Sequence, residues 1–176
     1  GGRYGFDFDA VQRKIAGRTR LFVLCSPHNP TGRVYAREEL LQLARICLAS
    51  GVAICSDEIH CGLVLDEGAR HLSLASLDPE IARGSVTLLA PSKTFNLPGL
   101  GCSFAVIPEA GLRKAFLAVM RGIVPHVNAL GYTAALAAYR EGEDWRQALI
   151  SYLKGNRDLV EGFVSRMQGI SMTHVE

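Results

Sequence analysis

The sequence predicts an α/β fold, three-layer αβα around a mainly parallel sheet. Three observations carry it. Short, continuous apolar runs recur at Arg20 to Cys25, Val52 to Cys55 and Ser85 to Ala90, with the length and all-round apolarity of strands buried on both faces of a parallel sheet. The segment between the first two has helical periodicity, and strand, helix, strand in that order implies right-handed crossovers with helices on both sides. Size and composition suit one globular domain with a piece of a second, at 176 residues, 48% hydrophobic and 20% charged.

The elements follow in order. The first strand ends at Ser26-Pro27, and a polar turn, His28-Asn29-Pro30-Thr31-Gly32, comes next. From Arg37 to Ser50 the apolar residues Leu40, Leu41, Ala44, Cys47 and Leu48 mark one helix face, with Glu38 and Glu39 near the positive end of its dipole and Gly51 placed to stop it. Ala36 is a poor N-cap, costing about 1 kcal/mol relative to Ser or Asp. The second strand delivers Ser56-Asp57-Glu58 at its carboxyl end, and the third ends at Pro91-Ser92-Lys93. Cys102 to Ile107 is a fourth strand; too few residues precede it for a crossover helix, so it pairs antiparallel with the third. The remainder reads as helix over Glu109 to Met120, Val127 to Arg140, and Asp144 to about Met167, with a kink expected at Gly155.

Charge excludes some functions. Nineteen basic against seventeen acidic residues give a net charge of +2 without a block of either sign, which argues against a nucleic-acid partner. No apolar run is long enough to cross a bilayer and the first residues form no signal peptide, so a cytoplasmic protein is expected. The five cysteines, Cys25, Cys47, Cys55, Cys61 and Cys102, include no Cys-x-x-Cys pair and read as buried free thiols. Cys55, His60 and Cys61 match no zinc spacing in common use, so no metal is assigned. His71 and His126 read as structural or surface residues, and Tyr132, Tyr139 and Trp145 as packing residues.

Open parallel sheets bind ligands outside the carboxyl ends of their strands. Three strand ends bring Asn29, Asp57 and Lys93 there. Lys93 is one of only four lysines, and it follows an apolar strand into a loop, Ser92-Lys93-Thr94-Phe95-Asn96. Partly withdrawn from water, such a lysine serves as nucleophile and proton carrier. Each residue alone has a plainer reading: a snorkelling lysine, a capping Asp, a turn.

Taken together, Pro27-His28-Asn29-Pro30-Thr31-Gly32-Arg33-Val34, Ser56-Asp57-Glu58-Ile59-His60 and Ala90-Pro91-Ser92-Lys93-Thr94-Phe95-Asn96 resemble the fold-type I pyridoxal 5'-phosphate (PLP) enzymes, the aspartate aminotransferase superfamily. They are most similar to its cystathionine β-lyase branch, the C-S lyases of the MalY/PatB type. The resemblance covers nearly the whole chain and implies that residues 1–143 are part of the large domain of a PLP-dependent transferase-like fold, and 144–176 a long interdomain helix and the start of a small C-terminal domain. It also implies roles. Lys93 would attach the cofactor covalently and later move the substrate Cα proton; Asp57 would keep the pyridine nitrogen protonated; Asn29 would hydrogen-bond the ring O3', with a cis Asn29–Pro30 bond. His60 stands where ordinary aminotransferases carry a Tyr, which favours the lyase branch. Departures from the superfamily pattern are Gly101, where a phosphate-holding Arg is usual, and Ala90, where Ser is common; Ser92 is left as the phosphate contact in this loop.

The resemblance implies a C-S β-lyase acting on cystathionine or cysteine S-conjugates to give thiol, pyruvate and ammonia, as a homodimer. The alternatives are a class I/II aminotransferase and a catalytically incomplete fragment or non-enzymatic PLP-fold module. The absence of an initiator Met, and of the phosphate-binding loop and small-domain Arg that the resemblance implies, leads to the expectation of a fragment of a longer protein.

Overall fold

The computed structural model describes residues 2–176. Its sheet has four strands in the order β1 (Leu21–Cys25), β2 (Ala53–Asp57), β3 (Ser85–Leu89) and β4 (Phe104–Val106), the first three parallel and the last antiparallel to β3. The expected fold class is therefore what the structure has. Helices α1 (Phe8–Lys14), α2 (Arg37–Ala49) and α3 (Pro79–Arg83) accompany the parallel strands, a short α4 (Pro91–Thr94) follows β3, and α5 (Ala110–Met120), α6 (Ala129–Glu141) and α7 (Glu143–Val164) complete the chain.

The core lies between the sheet and α2. Leu40, Leu43, Ala44 and Cys47 of α2 pack with Leu24, Val52, Ile54, Leu74 and Ile81. Burial raises the Cys47 thiol pKa to about 11, so it behaves as a small apolar side chain. The weak cap is compensated: Glu39 reaches back from the first turn of α2 and accepts the Ala36 N–H at 2.8 Å. Gly51, at φ +66°, ends the helix as expected.

Some expectations are corrected. The first strand is not buried on both faces: Leu21 is 52% and Val23 66% exposed, because side chains alternate along β1 and these two lie on the face away from α2. Helix α7 runs unbroken from Glu143 to Val164 across Gly155; one interior glycine costs roughly 1 kcal/mol, which 22 residues of helix absorb. Tyr132 is exposed rather than packed, whereas Tyr139 meets Phe95 and Phe104 edge-on at 5.5 and 6.2 Å.

Candidate active site

The parallel register aligns Cys25 with Asp57, and Asp57 with Leu88. The carboxyl ends of β1, β2 and β3 therefore finish together at one edge. Beyond β1 the chain turns through two cis bonds, Ser26–Pro27 and the expected Asn29–Pro30. The loop is closed at its base by His28 N–H to Arg33 C=O and Gly32 N–H to His28 C=O, each 2.8 Å, and inside by the His28 ring and the Thr31 hydroxyl at 2.7 Å. Asn29 is exposed at its tip.

Asp57 is the last residue of β2 itself, half-buried. Its Oδ1 accepts the Ile59 N–H at 3.3 Å, and the chain turns there instead of starting a helix, so it caps none. Burial first, and the Asp57 charge second, push the Cys55 thiol pKa up; Cys61 is raised by burial and by Glu58. Both shifts make these thiols poor nucleophiles at neutral pH. His60 is half-buried, and its Nδ1 is buried with no hydrogen-bond partner among the described residues.

Lys93 departs from expectation in two ways. It sits on α4, a helical turn that Pro91 starts and the Phe95 N–H to Pro91 C=O bond closes, and it is exposed, not withdrawn from water. Pro91 and Thr94, three apart, share the buried face of this turn, which turns Lys93 outward. Ser92 is half-buried beside it. The turn is fastened to the loop after β2 at Gly62, where a Cβ would lie only 2.6 Å from the Thr94 hydroxyl oxygen. Asn29 and His60 line one open cavity of about 310 Å³ with His28, Leu63 and Glu176; Asp57, Ser92 and Lys93 do not line it.

Two polar clusters beside these residues escaped sequence reasoning. Glu58 is 1% exposed. Its Oε1 accepts from the Ser56 hydroxyl (2.9 Å), the Ser73 hydroxyl (3.2 Å) and the Leu74 N–H (2.9 Å), and its Oε2 meets His71 Nε2 at 2.9 Å. Since side chains alternate along a strand, this anchorage sends Asp57 to the opposite face. Arg33, 4% exposed, donates to both Glu39 carboxylate oxygens, to Glu176 and to the Tyr4 and Val34 carbonyls. A charged residue next to Asp57 and an Arg closing a turn were the only sequence signals.

The aminotransferase class I and II family model matches residues 2–176. The chain is 43% identical over 166 residues to cystathionine beta-lyase PatB of Bacillus subtilis (strain 168), covering 93% of this chain and 43% of that protein. The crystal structure of OvoB superposes with a TM-score of 0.96 at 45% identity, covering 99% of this chain and 46% of that one. Cystalysin from Treponema denticola, whose crystal structure contains pyridoxal 5'-phosphate, superposes with a TM-score of 0.89 at 32% identity, over 94% of this chain and 42% of that one. The chain thus spans somewhat under half the length of the proteins it matches. With the family's model running from the second residue to the last, over strand ends that carry Asn29, Asp57 and Lys93 to one edge, the chain belongs to the aminotransferase class I and II family.

Proposed function

We propose that the protein carrying this chain is a PLP-dependent carbon-sulfur β-lyase that cleaves cystathionine or a related cysteine S-conjugate to thiol, pyruvate and ammonia, acting as a cytoplasmic homodimer. Residues 1–143 are its share of the cofactor-binding large domain, and 144–176 the interdomain helix and the start of the small domain. The observation that carries this reading is the register that gathers three motif-bearing strand ends, in a chain 43% identical to a cystathionine beta-lyase.

The residues fit the cofactor. No hydrogen bond among the described residues reaches Asp57 Oδ2, which suits an acceptor for a pyridinium N–H. His60, on a cavity wall it shares with Asn29, suits the ring's O3' side. Ser92 is the phosphate contact from this turn. When bound, PLP supplies an electron sink for the pair left at the substrate Cα. With the cofactor bound, Lys93 would be the residue that holds it, and its Nζ, once free, would take the substrate Cα proton and could pass it to the departing sulfur. Asp57 would hold the ring nitrogen protonated.

The test uses a protein of the relatives' length. With cystathionine, pyruvate and ammonia are expected without added keto acid, and borohydride reduction followed by peptide mass spectrometry is expected to find the pyridoxyl group on Lys93. Its appearance on Lys14, Lys114 or Lys154 would overturn the assignment. The family model, whose description is aminotransferase, favours a second reading: transamination, in which the proton returns to the cofactor. Turnover that requires a keto acid would establish that reading instead.

A further inference from the structure

The last residues of the chain return to the loop that carries Asn29. The Glu176 N–H donates to the Gly32 carbonyl at 2.9 Å, and the Leu65 N–H donates to the Glu176 carbonyl at 3.1 Å, so this segment is stitched between the loops that follow β1 and β2. The approach is close: a Cβ on Gly32 would lie 2.6 Å from Val175 Cγ1. The Glu176 side chain, only 12% exposed, completes the contact. Its Oε2 accepts the Val34 N–H at 2.6 Å and Arg33 Nη1 at 3.0 Å, and its Oε1 accepts from Arg3. Arg33 in turn grips Glu39 at the start of α2.

We propose that Glu176 and Arg33 are positioning residues: together they clamp the segment that follows α7 onto the Asn29 loop and so fix where Asn29 stands. Each partner makes up for the other's burial. Burial opposes the Glu176 carboxylate, but the Val34 N–H and the two guanidinium groups outweigh it and hold its pKa below the ordinary range; burial likewise opposes the Arg33 charge, and Glu39 and Glu176 outweigh it. Removing Glu176 leaves Arg33 with Glu39 alone and the Val34 N–H without its acceptor, so the side-chain tie between the segment and the loop is lost and the loop is freer to open. Arg3 does not share this role, since its side chain is 66% exposed.

The functional consequence rests on the reading that Asn29 meets the cofactor. In that case the clamp transmits the placement of the segment after α7, with whatever that segment leads into, to the O3' side of the ring.

Two readouts test this on the protein of parent length. The first, amide hydrogen exchange, needs no cofactor. Glu176→Ala is expected to speed exchange at Gly32, Val34 and Leu65 by roughly tenfold or more, with core amides of α2 unchanged and Arg3→Ala near wild type. Unchanged exchange at these loop amides in Glu176→Ala would overturn the clamp, whether or not PLP binds. The second readout is the pH midpoint of the absorbance band of lysine-bound PLP, which reports the O3' environment. It is expected to move in Glu176→Ala and Arg33→Lys in the same direction as in Asn29→Ala, and to be restored by Glu176→Asp. A midpoint that moves in Asn29→Ala while staying fixed in Glu176→Ala would overturn the positioning role. Failure of the wild-type protein to bind PLP would instead remove the cofactor reading and leave the exchange result to decide the clamp.

Discussion

Two neighbouring carboxylates, Asp57 and Glu58, divide their work by the alternation of a strand. Asp57 keeps one oxygen free on a half-buried surface, while Glu58 uses both oxygens to gather four donors out of water. Their variants should therefore fail differently. Asp57→Asn keeps the volume and the bond from Ile59 but loses the charge that would hold the ring nitrogen protonated, so turnover is expected to fall far more than cofactor retention. Steady-state kinetics beside equilibrium dialysis of PLP checks this, and near-normal turnover would remove Asp57 from the mechanism. Glu58→Ala leaves the Ser56 and Ser73 hydroxyls, the Leu74 N–H and the His71 ring unpaired in the interior. A loss of about 3–5 kcal/mol in stability is expected, read as a lower urea midpoint at unchanged slope.

At the scale of elements, the C-terminal segment is also pinned to α7 through His174, which meets Asp66 Oδ2 and Glu161 Oε1 at 2.9 Å each. Asp66, above all, raises the His174 pKa; burial opposes it, and Glu161 adds a smaller push upward. A histidine raised on folding stabilises fully below its unfolded value and loses that contribution as pH climbs through the raised one. The difference in urea midpoint between wild type and His174→Gln should therefore be largest below the ordinary histidine range, about pH 6.5, and fade above it. A difference independent of pH would show that the charge contributes nothing. Such pairings were invisible in the sequence because their partners are remote: His174 and Asp66 lie 108 positions apart, and Arg33 and Glu176 lie 143. The parallel strands and α2 were legible because apolar runs and a 3.6-residue period are local signals. The same reason made the strand-end positions of Asn29, Asp57 and Lys93 legible, each following a run that could be seen to end. Helices α1, α3 and α4 were missed because seven residues or fewer carry too short a period to read. The open face of β1 was misread because the sequence of a strand does not say what lies against it.

At the scale of the whole molecule, surface area exceeds what the mass calls for. The chain exposes 11214 Å², against about 8,400 Å² for a compact monomer of 19.1 kDa. The surplus has the size of a large, stable interface, and much of it is apolar. Leu21 and Val23 lie open on β1, Val119, Ile123 and Val124 are exposed in and just beyond α5, and Leu130 and Tyr132 on α6. None of the residues of α5 or α7 is buried. A face of this kind is ordinarily covered, by further chain or by a second protomer, and PatB has more than twice the length matched here. The 176-residue polypeptide by itself is therefore expected to self-associate in light scattering, to bind PLP weakly and to show no measurable β-elimination, while the protein of the relatives' length does all three differently. Efficient turnover of cystathionine by a monodisperse monomer, with intact mass confirming ends at Gly1 and Glu176, would show that the exposed face needs no cover and that the site is complete within these strand ends.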